Sequence, residues 1–251
     1  MPATKAAQQM VTVKISDGTE MNCYVAQPPS NQPCPGILVL QEAFGVNAHI
    51  RDVTTRFARE GYLAIAPELF HRTGSGFEGS YTDFAAVAPH FRGLTDAGLE
   101  ADIHASLNWL QRGEAAGLPV AATGYCMGGR AACLAGIVAP LACTISYYGG
   151  GIAPSQFFPG LLDRLHDLKA PILMFWGGKD QHIGPEQTQA ITGALKSAGK
   201  PYVNVEFSEA DHGFFCDERA SYNPVAAAQA WPLTLVFLKS HIAAAARQAE
   251  A

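Results

Sequence analysis

Apolar and polar residues alternate along residues 11–15 and again along 21–26, with Asp17-Gly18 between the two stretches. A period of two places successive side chains on opposite faces, and an Asp-Gly pair suits a tight turn. The chain therefore opens with a predicted β-hairpin. Beyond a proline-rich loop at 27–35 the pattern changes. Residues 37–40, 62–66, 118–123, 142–147 and 171–176 are short, nearly unbroken apolar runs, and 202–207 is a further strand candidate. Unbroken runs of this length are expected of parallel strands buried on both faces. Between them the spacing turns helical. Asn47 caps a predicted helix that Gly61 ends, and Thr95 or Asp96 caps another, running to Arg112 with Leu99, Ile103, Leu107 and Leu110 on one face. Further helices are predicted over 130–139, 186–198 and 224–246. Asn223 or Ser221 caps the last, and Pro232 should bend or break it near 228–232, with Trp231, Leu235 and Leu238 facing the sheet. Its tail beyond Ala246 should fray.

Residues 67–93 fit neither period. They hold Gly74, Gly76, Gly79 and Pro89 among aromatics, and read as a loop bordering a pocket, with room for one short helix at 81–87. Strands alternate with helices elsewhere, without an internal repeat or a low-complexity linker. That order predicts a single α/β domain over residues 1–251, a mostly parallel sheet with helices on both faces.

Composition narrows the function. With 251 residues, 48% of them hydrophobic, the chain can bury a full core. The net charge of -5 and the lack of a basic block argue against a nucleic-acid partner. The N-terminal ten residues carry Lys5 but no apolar run, so no secretory signal is expected. The best candidate for a membrane helix, residues 131–143, is too short and contains Pro140, so no membrane partner is expected either. The six cysteines form no C-x-x-C pair, which speaks against a zinc knuckle or a thioredoxin-type site. Together these features imply a reduced, cytoplasmic setting.

One short stretch carries chemistry. Gly124-Tyr125-Cys126-Met127-Gly128-Gly129 joins a predicted strand to a predicted helix in a G-x-C-x-G pattern, the nucleophile elbow with cysteine in place of serine. So tight a turn leaves no room for side chains beside the nucleophile. It exposes the sulfur at a helix N-terminus, where the dipole favours a thiolate. Cysteine is also a common small core hydrophobe, so the thiol needs partners before it can be read as catalytic. In parallel α/β sheets reactive residues gather at the C-terminal strand ends. That filter selects Glu42, Cys126, Asp180 and His212, in the α/β-hydrolase order of nucleophile, acid and histidine. His182 also follows a strand but shares its loop with Asp180, so His212 is the preferred base. Asp211 neighbours His212 and should point away from it, which leaves Asp180 as the orienting acid. Glu42 ends a buried apolar strand, where a carboxylate needs a partner: either an arginine or the thiol.

The stretches Gln41-Glu42-Ala43-Phe44-Gly45-Val46-Asn47, Ala66-Pro67-Glu68-Leu69-Phe70, Gly124 to Gly129, Tyr147-Tyr148-Gly149, Gly177-Gly178-Lys179-Asp180 and Asp211-His212-Gly213-Phe214 together resemble the dienelactone hydrolase (carboxymethylenebutenolidase) family of the α/β-hydrolase fold. The resemblance implies a Cys126–His212–Asp180 triad and a Glu42 that contacts the resting thiol and takes its proton when substrate binds. It implies an oxyanion hole made by the N–H groups of Met127 and Ala43, and substrate contacts from Arg72, Phe44 and Tyr148. The family reaction opens a lactone through a thioester that water then hydrolyses, and it implies no metal or organic cofactor. Dienelactone-cleaving members hold the substrate carboxylate with two arginines. Arg72 matches the first, but Cys216 stands at the second position, with Arg219 three residues on. The expected function is a cysteine hydrolase of small lactones or esters. A general carboxylesterase or thioesterase without a carboxylate clamp, and a non-catalytic redox-sensing thiol, are the alternatives.

Overall fold

The structure, a computed structural model, describes residues 6–30, 32–113 and 115–249. The segment carrying Lys5, position 31 of the proline-rich loop and the last two residues of the tail lie outside the described residues. The chain divides into two compact units, residues 1–121 and 122–251.

In the first unit β1 (Ala7–Lys14) and β2 (Glu20–Gln27) form the predicted hairpin, with Val11 opposite Cys23 and Val13 opposite Met21. Asp17 shapes its turn, accepting hydrogen bonds from the backbone N–H (3.0 Å) and hydroxyl (2.6 Å) of Thr19. β2 pairs antiparallel with β4 (Leu63–Pro67), which pairs parallel with β3 (Gly36–Leu40). Every residue of β3 and β4 is buried, which is why these runs carry no alternation. α1 (Ala48–Arg59) starts where Asn47 Oδ1 accepts the Ile50 N–H at 3.2 Å. α4 (Asp96–Arg112) starts where Thr95 Oγ1 accepts the Gly98 N–H at 3.1 Å. Leu99, Ile103 and Leu110 are buried as their spacing predicts, while Leu107 is half-buried; Asp102 and Ser106 share the buried face.

Residues 67–93 are more regular than expected. α2 (His71–Gly74) is a single turn, and α3 (Phe84–Arg92) begins three residues after the predicted start, where Asp83 Oδ1 accepts the Ala86 N–H. α3 runs through Pro89. The proline removes one backbone bond, and burial of Val87 and Phe91 offsets the loss.

β5 (Val120–Tyr125) begins with the last two residues of the first unit; from its second-unit part onward β5, β6 (Thr144–Tyr147), β7 (Ile172–Gly177) and β8 (Tyr202–Phe207) pair in parallel in that order. β5 through β7 are wholly buried, whereas no residue of β8 is, three being exposed and three half-buried. α5 (Met127–Val138) is buried nearly all round, which its run of glycines and alanines permits. A 3-10 turn at Leu162–Asp167, not predicted, precedes β7, and α6 (Pro185–Ser197) follows it. α7 (Pro224–Ala249) corrects two expectations. It continues through Pro232 without a break and stays helical past Ala246. Both halves are tied to the same core strip. Ala230 and Leu238 are fully buried, and Thr234 Oγ1 lies 2.6 Å from Tyr147 Oη. These contacts outweigh the one backbone bond that proline forfeits. Asn223 caps the helix as expected, Oδ1 accepting the Ala226 N–H at 3.0 Å. Among the described residues no helix is long and apolar enough to cross a membrane.

Candidate active site

The elbow lies where β5 turns into α5. Cys126 is the N-cap of α5 with φ 56° and ψ −122°, a left-handed backbone that a residue with a side chain adopts only under strain. Its N–H donates to the Tyr147 carbonyl at 3.0 Å, and its carbonyl accepts from Gly129 N–H at 2.9 Å. The flanking glycines are steric requirements. A Cβ on Gly124 would run into the Gly128 carbonyl, and one on Gly129 would sit 2.8 Å from both Gly149 Cα and Ser146 Oγ. Met127 is the first helical residue, so its N–H has no carbonyl one turn back to bond. The Cys126 residue is half-buried; the other five cysteines are buried, and all six are free thiols. Burial pushes the Cys133 and Cys143 thiols up to about 12, which makes them inert.

Two loops bring the histidine and the acid together. Asp180 follows β7, and its Oδ1 accepts the N–H groups of His182 (2.7 Å) and Ile183 (3.0 Å). Oδ2 is thereby aimed at His212, whose Nδ1 lies 2.8 Å away. Burial alone would raise the Asp180 pKa, but the His212 hydrogen bond and charge and the two backbone N–H bonds lower it below the usual carboxylate range. His212 shows the opposite balance. Burial disfavours its cation, yet the charge of Cys126, hydrogen bonds to Asp180 and to Cys126, and the Asp180 charge together raise it to about 10. Asp180 and His212 thus form one hydrogen-bonded pair, with Cys126 as the further electrostatic partner of the imidazole. The Tyr148 ring, held by a backbone at φ 38°, packs 5.1 Å from the His212 ring. The His182 ring meets His212 edge-on at 5.3 Å.

The remaining predicted residues lie in the first unit. Glu42 is fully buried, Ala43 is 2% exposed, and the Phe44 ring packs edge-on against Tyr81 with centroids 4.7 Å apart. Arg72 is heavily engaged. Its Nη1 and Nη2 donate in parallel to the two oxygens of Asp102, both at 2.9 Å, and its Nε donates to Asp17 at 2.8 Å. Asp17 is held well below the usual carboxylate range, first by its bonds from Thr19 and then by Arg72. His71 completes the cluster, with Nε2 3.1 Å from Asp102 Oδ1 and neither side chain exposed. Asp102 escaped the sequence reading. Its one signal was position: three residues after Leu99 on a helix, an acid falls on the apolar face. Among the described residues no group of three or more His, Cys, Asp or Glu is arranged to hold a metal ion.

A mostly parallel sheet with an N-terminal hairpin, an elbow after β5, an acid after β7 and a histidine after β8 define an α/β-hydrolase. Within that class the chain belongs to the dienelactone hydrolase family, whose pattern matches residues 21–242. It is 38% identical over 220 residues to a Synechocystis protein named "Putative carboxymethylenebutenolidase", covering 83% of this chain and 87% of that one. An Escherichia coli K12 protein of the same name is 35% identical over 234 residues, covering 90% and 84%. The crystal structure titled "Putative Dienelactone Hydrolase from Klebsiella pneumoniae" superposes with a TM-score of 0.84 at 33% identity, covering 93% of this chain and 99% of that one. The protein is a dienelactone hydrolase-like hydrolase.

Proposed function

We propose that the protein hydrolyses small lactones or esters through a thioester on Cys126. The observation that carries this is the buried Asp180–His212 hydrogen bond, whose imidazole is coupled electrostatically to a thiol at a strained helix N-terminus. The thiolate attacks the substrate carbonyl carbon. The oxygen that becomes negative is held by the Met127 N–H and, by family resemblance, by the Ala43 N–H. Collapse expels the alkoxide, which takes the His212 proton; in a lactone it stays tethered to the acyl group. Neutral His212 then takes a proton from water, the hydroxide attacks the thioester, and the thiolate leaves as the acid forms. Asp180 keeps His212 in the tautomer and orientation that both proton transfers need. Family resemblance further assigns Glu42 as the group that takes the resting thiol's proton when substrate binds, and Phe44 and Tyr148 as substrate contacts.

One observation favours the neutral-substrate variant of this reading, a carboxylesterase or thioesterase. Arg72 is held by two carboxylates, and position 216 is a buried cysteine rather than a cation. Binding a substrate carboxylate through Arg72 would mean surrendering Asp102 or Asp17. The test is to mix the protein with p-nitrophenyl acetate and locate the acyl group by mass spectrometry, then to compare anionic and neutral lactones and esters. The adduct is expected on Cys126. Cys126→Ala should lose it together with about ten-thousandfold or more in kcat/KM, since members of one catalytic unit act together. Turnover that survives Cys126→Ala would rule out the covalent route.

A further inference from the structure

The turn at residues 43–47 carries Ala43, and the geometry around it points to a residue that sets its shape. Gly45 has φ +83°, and the Phe77 carbonyl oxygen occupies the place where a Cβ would be. A strap of chain at residues 77–81 lies along the turn and is tied to it along its length. The Gly79 N–H donates to the Phe44 carbonyl at 3.0 Å. Arg51 of α1 donates to Glu78 at 2.6 and 3.2 Å and to the Val46 carbonyl at 2.6 Å, joining strap, turn and helix. Tyr81 adds the deepest tie. Its ring packs edge-on against buried Phe44, and its hydroxyl accepts from Asn47 Nδ2 at 2.8 Å. The same Asn47 amide accepts the Ile50 N–H and so starts α1. Tyr81 therefore grips the turn at both ends, Phe44 and Asn47.

We propose that Tyr81 is a positioning residue for acyl transfer. It holds the shape of the 43–47 turn, and with it the direction of the Ala43 N–H, and it acts through that turn. The proposal rests on the reading of Ala43 as an oxyanion donor. Two points single out Tyr81 within the strap. The Arg51–Glu78 pair is solvent-exposed, with 35% and 48% of the side chains accessible, so it holds little by itself. The Gly79 bond is made by backbone and is shared by any sequence. Tyr81 is the half-buried side chain whose two ends bear on the two ends of the turn.

A merely structural tyrosine and an oxyanion-positioning one differ in which reaction of Cys126 they affect. Acylation by an ester builds charge on an oxygen and needs the hole; alkylation by iodoacetamide displaces iodide and does not. The experiment measures both rates on wild type, Tyr81→Phe and Tyr81→Ala. Losing an oxyanion donor outright costs about a hundredfold or more, so loosening one should cost less. Tyr81→Ala is expected to slow acylation by p-nitrophenyl acetate about tenfold, and Tyr81→Phe about threefold. Alkylation should stay within about twofold of wild type in both. The effect should appear in kcat rather than KM, because the oxyanion forms only in the transition state. Acylation rates that match wild type, or acylation and alkylation that fall together, overturn the proposal. If Tyr81→Ala fails to fold, Tyr81→Phe, which keeps the ring, carries the same comparison. Wild-type protein that forms no acyl group on Cys126 overturns the hydrolase reading itself, and this inference with it.

Discussion

Among the described residues two buried histidine–carboxylate pairs stand out, one in each unit, and they are nearly the same pair. In the first, His71 Nε2 lies 3.1 Å from Asp102; in the second, His212 Nδ1 lies 2.8 Å from Asp180. The third partner separates them. Asp102 also takes a parallel two-bond grip from Arg72, so its charge is already matched and the cluster is closed. Asp180 spends its other oxygen on two backbone N–H groups, which orient it without adding a cation. That leaves His212 with the raised pKa, about 10, and Cys126 as its further electrostatic partner. On the proposed mechanism a histidine–aspartate pair becomes chemistry or scaffolding according to what completes it: a guanidinium ends the proton path, and a thiol extends it.

The sharpest way to break the comparison is to neutralise each acid. Asp180→Asn should lower kcat/KM by between about a hundredfold and ten-thousandfold with little change in unfolding temperature, because the imidazole loses its tautomer control. Asp102→Asn should do the reverse. Breaking a buried ion pair costs about 3–5 kcal/mol, or about 10 °C in a chain of this size, while kcat/KM below the melting range stays within a few-fold. Activity assays and thermal melts on the two variants decide it; equal effects on activity would erase the distinction.

Arg72→Ala tests whether the closed cluster is only scaffold. We expect a drop of several degrees in unfolding temperature, and kcat/KM values for an anionic and a neutral ester that shift by the same factor. A selective loss for the anionic ester, by the ten- to hundredfold that one charge-assisted bond supports, would show that Arg72 leaves its acids for substrate.

The open cluster should also be visible by titration. The His212 imidazole should titrate near pH 10 by NMR, and well below that in Cys126→Ala, since the Cys126 charge is the first of the forces that raise it. The sign for stability follows from the raised value. The His212 contribution is fully present below about pH 6.5, the unfolded histidine value, and is lost as pH rises through about 10. Asp180 works oppositely: its contribution is present above the unfolded carboxylate value, about 3.9, and is lost as pH falls through its lowered folded value. An unchanged His212 titration in Cys126→Ala would mean that the thiol is not its charge partner.

The smallest expected effect is at His182. Its contribution to Asp180 is a backbone N–H, which alanine retains, and its ring meets only one side of His212. His182→Ala should keep kcat/KM within about fivefold, the residual loss coming from a less confined His212 ring. A loss as large as that of Asp180→Asn would make the ring itself part of the proton path.

What the amino-acid sequence determined alone is the part of the protein written in local rules. Alternation placed the hairpin, unbroken apolar runs placed β3 to β7, Asn47 and Thr95 capped their helices, and Gly124 and Gly129 marked a turn that tolerates no side chain. The strand-end positions of Cys126, Asp180 and His212 were also legible, and the structure pairs Asp180 with His212. Three things were decided only by the tertiary structure. α7 passes Pro232 because contacts on both sides of it, at Ala230, Thr234 and Leu238, outweigh one missing bond. Residues 67–93 hold a helical turn at 71–74 beyond the one short helix expected, and that helix extends through Pro89 because burying Val87 and Phe91 offsets the proline. Arg72 read as a cation available to substrate, yet Asp17 and Asp102 hold it, from 55 and 30 residues away along the chain. A charge carries no local mark of its partner, since the attraction depends on distance in space and not along the sequence.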